Sequence, residues 1–377
     1  MITVETIADT GGLAALEPEW DALVRAMPRP SPFLLHGWLT EWCRHHAGEA
    51  ALRVHVVRHE GRLAGALPLI VRRRYGLRVL SFIGGDASAL ADVLVSPTAP
   101  PGTVSALAEH AAAANGHDLA DLFGLGGQSR LAATLGSERL SLLPRAEAPV
   151  LELPDGWPAA YTARMSSRHR SLDRRRRRQL GELGPLTVEV ARDVEALGPA
   201  LEAAFALHAA RWRDRPEASG FATPAGRAFH RAAIRALAPL GVPRIVLLCV
   251  GGRPVACNYF LLLRETMFFH ELAFHPDFAR FSPGWLATLE ALSAAAADGA
   301  RRVEFLGGTE RYKLELTDRR EPLYQGLGLA STRRGRAGVR ARTAAVAMRR
   351  RLKDTPVRRV YYEHLAPARR AVRRLRS

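Results

Sequence analysis

Apolar blocks and alternating positions divide this 377-residue chain into two stretches with the same order of elements. In the first, residues 53–58 and 63–71 read as strands about the Glu60-Gly61 turn, and 77–84 as a third strand after Tyr75-Gly76. Residues 103–114 follow as an Ala-rich helix entered through Pro100-Pro101-Gly102, and 118–125 as a strand. Two helices come before, at 17–27 and 34–46. In the second of these, Trp38, Trp42 and His45 share a face, the spacing of a packing stripe.

The second stretch repeats the pattern. Residues 244–250 and 255–263 form a hairpin about Gly251-Gly252, with a third strand at 266–274, a helix at 283–298 and a strand at 302–306. "HEGRLAGALPLIV" and "VGGRPVACNYFLL" share a turn, a Gly-Arg pair and a strand. Between the stretches lie a crossing segment at 151–154, a basic helix at 159–183, a strand at 187–191 and helices at 194–213 and 229–239. The expected architecture is α/β (α+β), with two units in tandem, each a mixed sheet flanked by helices. The expected boundaries are 1–150, a crossing segment with its Arg-rich helix at 151–185, a second unit at 186–330 and a basic tail at 331–377.

Charge changes this picture by its location. The formal +17 resides in two segments. Residues 164–178 hold eight Arg and one Asp, and 331–377 hold sixteen basic residues and two acids, which leaves the rest at −4. Nucleic-acid or membrane affinity is therefore expected of those segments and not of the body. No apolar run is long enough to span a bilayer, and residues 1–10 lack a basic and an apolar signal region, so a cytoplasmic location is expected. Cys43, Cys249 and Cys257 form no C-x-x-C pair and read as buried free thiols; in the hairpin register Cys249 faces Pro254 and Cys257 faces Val246.

The candidate chemistry gathers in the second stretch. The junction Phe274-His275-Pro276-Asp277-Phe278-Ala279-Arg280-Phe281-Ser282-Pro283-Gly284 runs from the third strand into a helix. Ser282 fits an N-cap, Pro283 the first turn, and Gly284 a close backbone approach. A helix start of this kind suits a pyrophosphate, and Arg280 adds charge to the contact. An ordinary Ser-Pro helix start would carry the same letters. The glycines of Gly307-Gly308-Thr309-Glu310-Arg311-Tyr312-Lys313 let a ligand approach the end of the last strand. Tyr312 suits protonation of a departing thiolate, and Lys313, one of only two lysines, suits binding of an acidic group or polarising of a carbonyl. A surface turn with a salt-bridged Lys is the competing reading. Glu304, Glu271, His270 and His208 are the candidates for a base, with alternation placing His270 and Glu271 on opposite faces. The letters alone do not choose among them. His270-Glu271 with His275 has one residue too many for a zinc helix, Gly124-x-Gly126-Gly127 lacks the later glycine of a dinucleotide loop, and there is no G-x-S-x-G elbow.

With these residues in view, the chain resembles the GNAT-fold acetyltransferases of the CelD-like family, named after a cellulose-biosynthesis protein and related to the FemAB aminoacyltransferases. The matching pieces are "FLLHGWLTEWC", "GRLAGALPLIVRRRYGLRVLSFIGG" and "ADVLVSP", then "LHAARW", "GRPVACNYFLL", "AFHPDFARFSPGWL" and "VEFLGGTERYKLEL". The last two are the specific ones. The resemblance implies tandem GNAT domains and an acyl donor, acetyl-CoA or another acyl-CoA, bound by the second. Phe274, His275, Arg280, Ser282, Pro283, Gly284, Gly307 and Gly308 would hold that donor, and Glu304, Tyr312, Lys313 and His208 would act on it, without a metal. It further implies an amine acceptor in a sugar, lipid or cell-envelope precursor. The family pattern has Asp where this chain has Glu304.

Two other readings stay open: an aminoacyl-tRNA-dependent transferase of FemAB type, with tRNA on the Arg run, and a non-catalytic module that binds nucleic acid or membrane. In the tail, Val357, Val360, Tyr361, His364 and Leu365, continued by Val372 and Leu375, recur at helical spacing among arginines. That pattern reads either as a basic amphipathic helix suited to an anionic membrane surface or acidic partner, or as disorder.

Overall fold

The computed structural model describes residues 2–85, 89–113, 116–213 and 219–353. The tail pattern expected at 357–375 lies outside the described residues. The strands are β1 (Val4–Ile7), β2 (Ala51–His59), β3 (Arg62–Arg74), β4 (Leu77–Phe82), β5 (Leu94–Val95), β6 (Leu119–Gly126), β7 (Leu140–Glu152), β8 (Leu186–Ala191), β9 (Pro243–Val250), β10 (Arg253–Leu263), β11 (Thr266–Phe274), β12 (Arg302–Glu304) and β13 (Arg320–Gly328). The helices are α1 (Thr10–Ala14), α2 (Glu17–Ala26), α3 (His36–Trp42), α4 (Thr103–Ala113), α5 (Arg130–Arg139), α6 (Gly156–Arg164), α7 (Ser167–Gly181), α8 (Val194–Arg211), α9 (Pro224–Leu237), α10 (Pro283–Ala297), α11 (Arg311–Leu316) and α12 (Arg333–Lys353).

All strands join one sheet in the order β1-β2-β3-β4-β6-β13-β7-β12-β11-β10-β9-β8, with β5 beside β3. The two ends mirror each other. β1 to β4 are antiparallel neighbours and β4 runs parallel to β6; β8 to β11 are antiparallel neighbours and β11 runs parallel to β12. A helix, α4 or α10, connects each parallel pair. The centre belongs to both halves. Leu140 to Pro149 of β7 pair with β13, while Val150 to Glu152 pair with β12. The unbroken strand β7 therefore passes through residue 150, and β13, from the far end of the chain, lies between β6 and β7.

The halves also share a core. Phe33 packs edge-on to Phe268 at 6.1 Å, and Trp38 to Phe229 at 4.9 Å. Trp38 is fully buried, so its truncation to Ala would cost roughly 3–5 kcal/mol. A second core lies on the opposite face of β9 to β11, under α10. Its alternation is easy to see in Phe268 and Phe269, which face different cores.

Three local expectations are corrected. The single helix over 159–183 is two, because Met165 and Ser166 are extended and Ser166 Oγ accepts the His169 N–H to start α7. Cys257 faces Leu247, not Val246, because the β9–β10 register shifts between Pro254 and Ala256. His270 and Glu271 do not simply alternate: Phe269 pairs with Phe260 and Glu271 with Tyr259, so His270 is the extra residue of a bulge. Among the described residues, no helix is long and apolar enough to cross a membrane.

Candidate active site where two strands part

β11 and β12 hold together for only three rungs, from Thr266–Arg302 to Phe268–Glu304. Beyond them the backbones choose different neighbours. β11 stays with β10 as far as Phe274. The chain after β12 stays with β7: the Phe305 N–H donates to Pro149 O at 3.0 Å and the Gly308 N–H to Glu147 O at 3.1 Å. Two parallel strands drawn to opposite partners open a wedge between them, and the edge of β11 there lacks a ladder partner. Arg211, at the end of α8, donates to the Leu272 carbonyl at 2.9 Å. Its guanidinium lies 4.5 Å above the Phe274 ring.

Tyr312 stands beside the wedge. It rides on α11 with its ring against Phe269 at 6.0 Å, and Phe269 in turn contacts Phe305 at 5.6 Å. Burial pushes the phenol pKa well above its usual value, helped by the Glu310 and Glu271 charges and opposed by Arg211. Tyr312 therefore keeps its proton at neutral pH and stands as a hydrogen-bond donor toward a leaving thiolate.

Lys313 sits one residue on and faces inward, buried. Its ammonium contacts Glu310 at 2.9 Å and donates to the Gly307 carbonyl at 3.3 Å. It fastens the Gly307–Glu310 turn. Gly308 holds φ +110° there, a backbone conformation that a side chain would strain.

At the start of α10, Ser282 occupies the N-cap position but its side chain makes no capping bond; its backbone is left-handed, at φ 52°. Gly284 is close to the Phe274 ring, which a Cβ would meet at 3.0 Å. Its smallness thus seats Phe274, and Pro283 is buried beside it. His275 contacts Arg253 at 2.9 Å and orders the turn before the helix. Arg280 lies 4.6 Å over the Phe281 ring. With Arg175 and Arg176 of α7 it lines a cavity of about 560 Å3. Arg176 bonds Asp173, whereas Arg175 and Arg280 have no carboxylate partner among the described ion pairs. Such a basic recess beside a helix start is suited to phosphate.

The four catalytic candidates fall in three places. Tyr312 and Lys313 adjoin the wedge. His208 is buried on α8 against Phe221, with Nε2 unpaired and its pKa lowered by burial. Glu304 closes the last rung, bonded to Arg29 and Arg302. The sequence reading had no place for Asp173, although it is the one acid in the Arg run. It is buried and accepts from Tyr161 Oη at 2.8 Å, Trp285 Nε1 at 2.9 Å and Arg176 at 3.2 Å. It thereby ties α6 and α7 to the first turn of α10. Arg29, in a proline-rich loop, carried no signal at all; only the fold brings it to Glu304.

Residues 167–314 match the profile of the acetyltransferase (GNAT) domain family. No curated protein matches the chain in sequence. Among solved structures, FemX is 13% identical over 82% of this chain and 95% of its own, with TM-score 0.57. The C-terminal domain of a putative lysylphosphatidylglycerol synthetase from Agrobacterium fabrum is 12% identical over 84% and 92%, with TM-score 0.54. L-PGS from Bacillus licheniformis is 10% identical over 86% and 96%, with TM-score 0.54. At such identity the likeness speaks for the fold alone. The chain has the GNAT fold, with the match to the GNAT acetyltransferase domain confined to residues 167–314.

Proposed function

We propose that the protein is a GNAT-type N-acyltransferase that moves an acetyl or longer acyl group from coenzyme A to an amine of a sugar, lipid or cell-envelope precursor, including those of exopolysaccharide assembly. The observation that carries this reading is the wedge: an unladdered edge of β11 beside a tyrosine that burial keeps protonated. The donor's pantetheine arm would add to that edge as a short strand, and its phosphates would lie by α10 with Arg280, Arg175 and Arg176. The amine attacks the thioester carbonyl, and backbone N–H groups of β11 hold the oxyanion. As the carbon–sulfur bond breaks, the thiolate takes the Tyr312 proton, and the amine loses its own to solvent or a nearby base. The CelD-like motifs supply the wedge and the α10 junction, which supports that affinity.

Calorimetric titration with acetyl-CoA and longer acyl-CoAs tests the proposal. Micromolar binding with a preferred chain length is expected. No binding by any of them would overturn it and leave the non-catalytic module. One observation favours transfer from aminoacyl-tRNA instead: Arg168, Arg174, Arg175 and Arg178 of α7 are exposed near the α10 junction. RNA binding that falls steeply with salt, without acyl-CoA binding, would decide for it. We further assign the protein to the cytoplasm, with the residues beyond 353 directed to an anionic membrane surface or acidic partner. Equal sedimentation with anionic vesicles by the full chain and a chain ending at 353 would refute the membrane assignment.

A further inference from the structure

A cleft of about 440 Å3 lies between the two halves, on the Phe268 face of the sheet. Its wall includes the last rung before the wedge, Phe268 beside Glu304. Glu304 is 2% exposed. Its Oε1 accepts from Arg29 at 2.8 Å and Arg302 at 2.7 Å. Its Oε2 is buried and has no hydrogen-bond partner. A buried carboxylate oxygen left in that state costs more than an ordinary lost hydrogen bond, so a donor from a ligand would be well rewarded there.

The surrounding charges define the donor. Arg29, Arg302 and Arg319 alternate with Glu152, Glu304 and Glu321 in one network: Arg29 also contacts Glu321 at 2.9 Å, and Arg319 contacts Glu152 at 2.9 Å and Glu321 at 3.0 Å. Three guanidiniums and three carboxylates balance. An ammonium entering this network would stand unbalanced next to two guanidiniums. A neutral N–H donor meets no such cost. Across the cleft, Arg130 has no carboxylate partner among the described ion pairs; Asp92 beside it spends both oxygens on Ser129 and on the N–H groups of Val93, Arg130 and Leu131. Met27, Leu90 and Phe268 give the space between an apolar lining.

We propose that this cleft is the acceptor site and that it takes a primary amine in its uncharged form, donating to Glu304 Oε2, on a molecule with an apolar stem and an anionic group that reaches Arg130. This deepens the acyl-transfer reading, on which it rests for what the amine does next; the binding step stands apart from it. The uncharged amine is the nucleophilic form, and it would face the wedge from the side opposite α10. Glu304 here orients the amine. Arg29 and Arg302, held on its other oxygen, disfavour the ammonium.

An amine in neutral solution is almost wholly protonated, so selection of the neutral form releases a proton on binding. Calorimetry of the full chain with ε-aminocaproate, caproate and hexylamine, in buffers of different ionisation enthalpy, reads that proton directly. ε-Aminocaproate is expected to bind tightest, with about one proton released per molecule. Glu304→Leu should remove the proton release and weaken binding about tenfold or more. Arg130→Ala lies outside the ion network, leaves folding unaffected, and should bring ε-aminocaproate down to the level of hexylamine. Binding without proton release, equal binding of all three probes, or no saturable binding of any would each overturn the proposal. Acetyl-CoA titrated into the same samples reads the donor site separately: its failure with ε-aminocaproate binding intact would overturn the donor and spare the cleft.

Discussion

Both halves of this sheet bring two parallel strands together briefly and then part them, yet only one leaves the opening free. In the first half, β4 and β6 share the rungs Val79–Leu119 and Leu80–Ala120. In the connection to α4, residues 89–95 lie back on the sheet. Its Ala91 N–H donates to Gly124 O of β6 at 3.0 Å, and β5 pairs with β3. The first opening is filled by the chain's own backbone. In the second half, residues 275–282 run directly from β11 to α10. The topology makes an opening in each half, and the length of one connection decides whether a ligand or the protein satisfies it.

The largest effect that would sharpen this contrast is on Tyr312. Tyr312→Phe keeps the ring on Phe269 and removes only the proton. With bound acyl-CoA and an amine, kcat should fall by roughly 10²-fold or more, with donor affinity and melting temperature little changed. Tyr324, in the central strand β13 beside β6, offers the control: Tyr324→Phe should leave kcat as it is. Equal activity of Tyr312→Phe and wild type would break the comparison.

A somewhat smaller effect concerns how each connecting helix is held. α4 is started locally, by Thr103 Oγ1 donating to Pro100 O at 2.8 Å. α10 is held from outside, by Asp173 on Trp285. Asp173→Ala strands the half-buried Trp285 and Tyr161 donors and leaves Arg176 unpaired, so unfolding should cost about 3 kcal/mol less. Thr103→Ala removes only that one hydrogen bond and should cost about 1 kcal/mol. Urea unfolding measures both, and an Asp173→Ala loss no greater than that of Thr103→Ala would show that α7 does not anchor the donor helix.

These two sites also show what the sequence made legible. The second-half hairpin, β11 and α10 were readable because alternation, Gly-Gly and Ser-Pro-Gly are local signals. The early end of β12 was not, since it depends on β7 drawing residues 305–308 away from β11. The central position of β13 was equally hidden, being a pairing of distant segments with no local mark. Tyr312 was singled out from its motif, and the fold sets its ring against Phe269 beside the wedge. Lys313 was singled out for the same reason, but the fold turns its ammonium toward Glu310 and Gly307. One of Glu304's two partners, Arg29, comes from a proline-rich loop 275 residues away, a separation that no spacing rule spans.

Acid acts on both halves alike. Burial lowers the pKa of His270 and His55 to about 4, and lowers those of His46, His117, His208 and His230 as well. His208, His230 and His270 belong to the second half, His46, His55 and His117 to the first. Each is neutral when folded and free to take a proton when unfolded. Their stabilisation is present above the unfolded value of about 6.5 and is lost as pH falls toward about 4. His270→Phe should therefore reduce the stability lost between pH 7.5 and pH 5 by about 2 kcal/mol. With three such histidines in each half and a core that spans both, amide exchange should show the halves opening together in acid; earlier opening of one half would mean that the shared core does not couple them.

The smallest expected effect lies at the wedge itself. Arg211 is the only described side chain seen bonded to a carbonyl of the β11 edge, at Leu272, and it also stacks on Phe274. The corresponding opening in the first half needs no such side chain because backbone already fills it. If Arg211 merely steadies an edge that the donor will occupy, Arg211→Ala should weaken acyl-CoA binding a few-fold, about 1 kcal/mol, and leave kcat nearly unchanged. A tighter complex in the variant would carry a different meaning: Arg211 would be a stand-in for the donor, holding the carbonyl until the pantetheine displaces it. Titration of wild type and variant with the same acyl-CoA separates the two roles by the sign of the change alone.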